Sequence, residues 1–268
     1  LVSWLGDEVA CVRRLRRLTV AEVEEFFLRY REKGAGQAAQ RLMQTGLRLF
    51  LRFCAARGWV SPALAAAVPS LRSYRFSAVP RSVSQSDLPS LVAAISPTSV
   101  SAKRDRAIVL LLATYGPRRA QVARLRLRDL DWESRTVTFR AHKGGRTVQH
   151  ELTPAAAEAL ADYLGERPVD CPEEQVFLRA RPPRIGLSPV AVTDLCVRLF
   201  EAAGVASRPR GPHAFRHAFA QRLVATQVPY KAVADLLGHR SLDATAVYAK
   251  VDLERLSEAP LEWPEVLR

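Results

Sequence analysis

The sequence predicts a mainly α fold in two parts: an all-α N-terminal domain, then an α+β domain with one small antiparallel sheet. Three observations predict it. Apolar residues recur at helical spacing through residues 19–58, and no strand pattern occurs before about residue 76. A polar, serine-rich stretch, SYRFSAVPRSVSQSD (73–87), then interrupts the chain as a linker would. Finally, the period switches to two in RTVTFRAHKGGRTVQHEL (135–152), around Gly144-Gly145. The predicted divisions are residues 1–76, a linker over 77–87 and a second domain over 88–268.

Taken in order, TVAEVEEFFLRYREK (19–33) reads as a helix capped by Thr19, with Glu22 three residues on completing a capping box. GQAAQRLMQTGLRLFLRFCAARG (36–58) carries Leu42, Leu49, Phe50 and Phe53 at helical spacing and ends at Gly58. Residues 87–125 predict two or three helices, of which RDRAIVLLLATYG (104–116) is apolar enough to be buried. In the hairpin, Val137, Phe139 and Ala141 are answered by Val148, His150 and Leu152. Helices are predicted over 154–165, 188–204, 212–226, 229–237 and 242–250, with a short strand at QVFL (175–178).

Composition is that of an ordinary globular chain, with 48% apolar and 25% charged residues, which excludes a disordered polypeptide. The formal charge of +13 is the unusual figure, and it points to a polyanionic partner. The charge is shared: net +7 over residues 1–80 and net +6 over 81–268, as a clamp around nucleic acid would require. Of the 40 basic residues only five are Lys. A high-GC coding sequence also favours Arg, so that bias by itself says nothing about phosphate.

Four cysteines, Cys11, Cys54, Cys171 and Cys196, show neither a C-x-x-C pair nor metal-ligand spacing with histidine. They read as core thiols of a reducing compartment, and a cytoplasmic location is expected. No apolar run approaches 18 residues, and no signal peptide is recognisable. The chain starts at Leu1 and its one methionine is Met43, so the natural N-terminus is expected to lie upstream.

Four stretches could carry chemistry. TYGPRRAQVARLRLRDLDW (114–132) places Arg118 and Arg119 where a buried helix ends in Gly116-Pro117. There a planar guanidinium could grip a phosphate, or simply form a solvated basic loop. AHKGGR (141–146) sets Lys143 at the hairpin tip, where it could reach a leaving oxygen or merely serve solubility. GPHAFRHAFAQRL (211–223) puts His213 and Arg216 on one helix face at an anion-favouring N-terminus. His213 could equally be a cap, while His217 and Phe215 read as packing residues.

The last stretch, LLGHRSLDATAVYAKV (236–251), ends a helix at Gly238 and follows it with His239. Ser241 or Asp243 would cap the next helix, which carries Tyr248 about two turns in. A lone tyrosine there would be a packing residue. A set of cations changes that reading, because a phenol with an ordinary pKa near 10 needs positive neighbours to attack at neutral pH. No carboxylate cluster suits a metal and no Walker-type loop is present, so phosphoryl transfer stabilised by fixed donors is expected to need no cofactor.

In this order the motifs resemble the tyrosine recombinases, or phage integrase family, over nearly the whole chain. YGPRR resembles its first arginine box, HKGGR the hairpin lysine, HAFRHAFA the His-x-x-Arg box and LGHRSLDATAVYAKV the Leu-Gly-His…Tyr box. The resemblance implies a SAM-like core-binding domain, an interdomain linker and a catalytic domain of the DNA breaking-rejoining fold. It implies that Arg118 and Arg216 hold the scissile phosphate and that His213 and His239 add hydrogen bonds. Lys143 would protonate the departing 5′ oxygen and Tyr248 would attack, leaving a 3′-phosphotyrosyl link.

A site-specific recombinase or integrase of a bacterial mobile element is therefore expected. It would act on double-stranded DNA as a homotetramer, without metal, cofactor or membrane. A type IB topoisomerase-like enzyme and a cleavage-deficient DNA-binding member of the fold are the alternatives. One departure stands out: the family usually has an acidic residue three positions after the first arginine, where this chain has Gln121. That exchange is expected to alter the orientation or charge balance at Arg118.

Overall fold

A computed structural model describes residues 15–70, 82–84, 86–141, 145–168, 171–206, 210–239 and 245. The chain divides into two compact units, residues 1–74 and 75–268.

Within the described residues the first unit is helical. Helix α1 (Val20–Glu32) begins with the expected capping box: Thr19 Oγ1 accepts the Glu22 N–H at 3.3 Å, and the Glu22 carboxylate accepts the Thr19 N–H at 2.8 Å. Helix α2 spans Gln37–Ala56, and a six-residue helix α3 (Pro62–Ala67) follows a Ser61 cap. The core joins Val23 and Phe26 of α1, Leu47, Leu51 and Cys54 of α2, and Leu64 of α3. Leu42, Leu49 and Phe53, which carried the helical spacing of α2, lie on its other, exposed face, with Leu42 76% exposed. That helix is apolar on two faces, so periodicity identified the helix without selecting the buried side.

The second unit opens with α4 (Asp87–Ala93) and α5 (Val100–Tyr115). Helix α5 starts on a Ser99 cap and is buried at Ala107, Ile108, Val109, Leu111 and Leu112. These side chains cover most of its circumference, which makes it the central post of the domain. Around it stand α6 (Arg119–Ala123), α7 (Pro154–Leu164), α8 (Pro189–Ala202), α9 (Pro212–Ala225) and α10 (Tyr230–Leu236). Helices α7 and α9 pack directly on α5.

A three-stranded antiparallel sheet runs β1 (Leu130–Asp131), β2 (Thr136–Phe139) and β3 (Val148–Glu151), in that order. Strands β2 and β3 are the expected hairpin, in a register that pairs Val137 with His150 and Phe139 with Val148. Val137 and Phe139 turn into the core as the alternation requires. Strand β1 has only two residues, too few to show a period in the sequence. QVFL is buried at Val176 and Phe177 but makes no strand. Gln175 bridges to Arg126 while Leu178 bridges to Gly186, so no two successive rungs share a partner.

The predicted helix over 242–250 lies outside the described residues, as does most of the predicted linker. Cys54, Cys171 and Cys196 are thiols, and burial pushes Cys196 up to about 12, which keeps it unreactive. Among the described residues no helix is long and apolar enough to cross a membrane.

Candidate active site

The site is built where three helix ends meet the hairpin. Helix α5 ends in Gly116, whose φ of +59° is a left-handed cap. A Cβ at this position would stand 2.9 Å from Phe219 Cδ1, so close packing of α9 reinforces the need for glycine. Pro117 cannot continue the helix, and Arg118 emerges extended at the cap of α6. Its Nη1 donates to the Gly238 carbonyl at 3.3 Å.

Arg216 is placed by α9, which starts at Pro212 as the sequence suggested. The guanidinium is only 5% exposed. Nη1 donates to the Gly116 carbonyl at 2.8 Å and Nη2 to the Leu237 carbonyl at 2.7 Å, so Arg216 ties the end of α5 to the end of α10. His213, one turn earlier, stays exposed on the same helix. Its pKa is lowered, first by desolvation and then by Arg216, Arg119 and Arg118, which places it in the same positive field.

Helix α10 stops at Gly238, with φ +62°. The His239 N–H closes the helix end onto the Ala234 carbonyl at 2.8 Å. The imidazole is buried, and Nδ1 lies 2.7 Å from Thr245 Oγ1. Desolvation, then Arg216 and Arg118, push its pKa down to about 4. His217 is likewise near 4, through desolvation, His213 and Arg216. At neutral pH both rings are therefore uncharged, each with one N–H and one lone pair. The arginines keep their charge, although desolvation lowers the pKa of Arg118.

Four expected site residues are thus described, and three of them, Arg118, Arg216 and His239, meet at one turn, residues 237–239. His213 shares their field. Lys143 and Tyr248 lie outside the described residues. The hairpin that carries Lys143 is attached to the same turn: the Arg146 N–H donates to the Gly238 carbonyl at 3.3 Å, and Arg146 Nη1 pairs with Asp235 at 3.1 Å.

Two participants, His150 and Thr245, escaped the sequence reading, and a third, Gln121, was singled out there only as a departure. His150 sits in an aromatic floor, 5.1 Å from Tyr115, 5.9 Å from Phe139 and 6.4 Å from Phe219, and burial lowers its pKa. Thr245 is fully buried against His239. Gln121, which stands where the family usually has an acid, holds the backbone of the Arg118 turn: Oε1 accepts the Arg118 N–H at 2.9 Å, and Nε2 donates to the Arg140 carbonyl at 3.0 Å and the Phe139 carbonyl at 3.4 Å. The bond to the Arg118 N–H is that of a Glu/Gln at the third position of a helix, a local pattern, whereas the bonds to the hairpin carbonyls have no local sign.

Beside Gln121 lies a cleft of about 230 Å³ lined by Arg124, Arg126, Arg140 and Asp129, with Arg140 paired to Asp129. The arrangement can hold an oxyanion against fixed N–H donors and neutral imidazoles, which is the electrostatic requirement of a pentacoordinate phosphate.

Comparisons with known proteins point to one family. The model of the Phage integrase family matches residues 81–255. The putative integrase/recombinase y4rA of Sinorhizobium fredii is 32% identical over 93% of this chain and 61% of its own length. The tyrosine recombinase XerC of Mesorhizobium japonicum is 31% identical over 91% of this chain and 78% of its own. Among solved structures, a lambda integrase (75-356) dimer bound to a COC′ core site superposes with a TM-score of 0.67. It covers 98% of this chain and 90% of that one at 19% identity, a likeness of fold. The chain spans only 52–61% of the length of y4rA and its counterpart y4rF.

Proposed function

We propose that this chain, which belongs to the phage integrase family, breaks and rejoins DNA strands at specific sites through a 3′-phosphotyrosyl link. The observation that carries the reading is the convergence of Arg118, Arg216 and His239 on residues 237–239, with His213 in the same field. A compact set of two guanidiniums and neutral imidazoles suits one phosphodiester.

In this reading Arg118 and Arg216 bind the non-bridging oxygens, and His213 and His239 donate further hydrogen bonds. The Tyr248 oxygen attacks phosphorus, its proton leaving to solvent. The bond from phosphorus to the 5′ oxygen breaks, and Lys143 gives that oxygen a proton. Reversal by a 5′-hydroxyl from another strand releases the tyrosine and seals the DNA. The net charge of +13 supplies the affinity for duplex DNA.

Residues 1–76 act as the core-binding DNA clamp, 77–87 as linker and 88–268 as the catalytic domain. Four protomers work on two duplexes in the cytoplasm, on the DNA of a mobile element.

The test uses nicked duplexes randomised across the central segment, incubated with the protein and then denatured. Covalent protein–DNA adducts should survive denaturation and disappear in Tyr248→Phe. Adducts of equal yield from both proteins would sink the assignment. Sequencing the trapped duplexes identifies the site.

A further inference from the structure

We infer that His150 of strand β3 is a positioning residue: it steadies the Leu236–His239 turn from the hairpin and so sets how Arg118, Arg216 and His239 are presented to the phosphate. The inference rests on the recombinase reading and adds to it a side chain that works only through that turn.

The carbonyls at the end of α10 show why such a residue is needed. A helix leaves its last carbonyls without intrahelical partners. The backbone takes the first of them: the Gly238 N–H donates to the Asp235 carbonyl at 2.9 Å and the His239 N–H to that of Ala234 at 2.8 Å. The next three are held from outside, by three different parts of the chain. The His150 ring donates to the Leu236 carbonyl, Arg216 Nη2 to that of Leu237 at 2.7 Å, and Arg118 Nη1 to that of Gly238 at 3.3 Å. His150 thus makes the first of three successive side-chain bonds, and the other two belong to the phosphate clamp.

Its surroundings do not otherwise call for a histidine. The residue pairs with Val137 in the ladder, and Tyr115, Phe139 and Phe219 stand 5.1, 5.9 and 6.4 Å from its ring. A leucine or phenylalanine would suit that floor, and an imidazole buried there costs free energy unless it is hydrogen-bonded. Burial lowers its pKa, so the ring is a neutral donor. It satisfies the carbonyl without adding a third cation beside Arg118 and Arg216. The cavity lined by His150, Leu236, Leu237 and Arg216 holds only about 10 Å³. That is the least space a water can use, so no solvent stands ready to replace the ring.

The experiment takes a nicked duplex selected in the trapping assay and follows its cleavage in single turnover, well below the melting temperature. His150→Leu keeps the volume and removes the donor. His150→Asn and His150→Gln put an amide N–H near one or the other ring nitrogen. His150→Leu should cleave about tenfold more slowly than wild type, with duplex affinity by gel shift within a few-fold. The better-placed amide variant should recover to within a few-fold of wild type. It buries an oxygen among aromatic rings, so it should melt no higher than His150→Leu and yet cleave faster. Hydrogen exchange at the His239 amide should rise about tenfold in His150→Leu and return toward wild type in the same amide variant.

His150→Leu cleaving as fast as wild type overturns the inference, and so does a failure of both amides to outpace it. Cleavage rates that follow melting temperature across the three variants would leave His150 a packing residue. If the wild-type protein traps no duplex, the recombinase reading has failed, and exchange at the His239 amide alone decides the role of the ring. Unchanged exchange in His150→Leu then shows that His150 does not hold the turn.

Discussion

Arg118 and Arg216 reach one turn of the chain: Arg118 Nη1 donates to the Gly238 carbonyl at 3.3 Å and Arg216 Nη2 to the neighbouring Leu237 carbonyl at 2.7 Å. Each guanidinium donates to its own carbonyl, Arg118 to that of residue 238 and Arg216 to that of residue 237, and these acceptors offset part of the repulsion between the two charges. A phosphate arriving at this pair would meet donors already oriented, with little reorganisation left to make.

Arg216→Lys tests how much of that order depends on the guanidinium fork. An ammonium cannot span the carbonyls of Gly116 and Leu237 as the planar group does, and at 5% exposure water cannot fill the gap. Cleavage in single turnover is expected to fall by at least about 10²-fold. Urea unfolding should show a loss of about 1–3 kcal/mol.

Gly238→Ala strikes the turn itself. The residue has φ +62°, and a Cβ would come within 2.9 Å of the Arg146 carbonyl oxygen and 3.0 Å of Val148 Cγ2. Both contacts lie on the returning hairpin arm, one on backbone that cannot rotate away. The substitution should cost about 1–3 kcal/mol in chemical denaturation and slow cleavage. A stability equal to wild type would show that the turn relaxes freely.

Thr245→Val addresses His239. A neutral imidazole that donates to phosphate through Nε2 must accept at Nδ1, and the hydroxyl 2.7 Å away can supply that proton. Valine matches threonine in shape and removes the donor. DNA binding measured by gel shift should stay within a few-fold, while the cleavage rate falls about tenfold, the equivalent of one hydrogen bond of about 1.4 kcal/mol. Unchanged cleavage would assign Thr245 to packing.

The histidines also predict a pH dependence. His239 and His217 have folded pKa values near 4 against an ordinary 6.5, so between these values the unfolded chain binds more protons than the folded one. Their contribution is complete above about pH 6.5 and is lost as the pH falls toward 4. His239 alone should account for about 2 kcal/mol between pH 7.5 and pH 5. Urea midpoints across that range check it, and His239→Asn should flatten the curve.

Much of this architecture was legible beforehand because its signals are local. A capping threonine with glutamate three residues on, a proline opening α9, glycines closing α5 and α10, and the alternation of Val137 and Phe139 each act within one turn or one strand. The exposed face of α2 was not legible, since a helix apolar on two sides gives the same period whichever side is buried. Strand β1 was too short to have a pattern, and QVFL looked like a strand because burial, not pairing, makes a segment apolar.

The candidate site divides along the same line. The order of residue types alone determined which side chains could serve a phosphate, because chemistry belongs to the side chain wherever it lies. Their convergence was decided only in three dimensions. Arg118 finds its carbonyl 120 residues away, and Arg216 finds one of its own at a separation of 100. Gln121 became an anchor only when folding brought the end of β2 against α6. A hydrogen bond depends on distance and angle between groups, and for residues so far apart in the chain only the packing of the core sets either one.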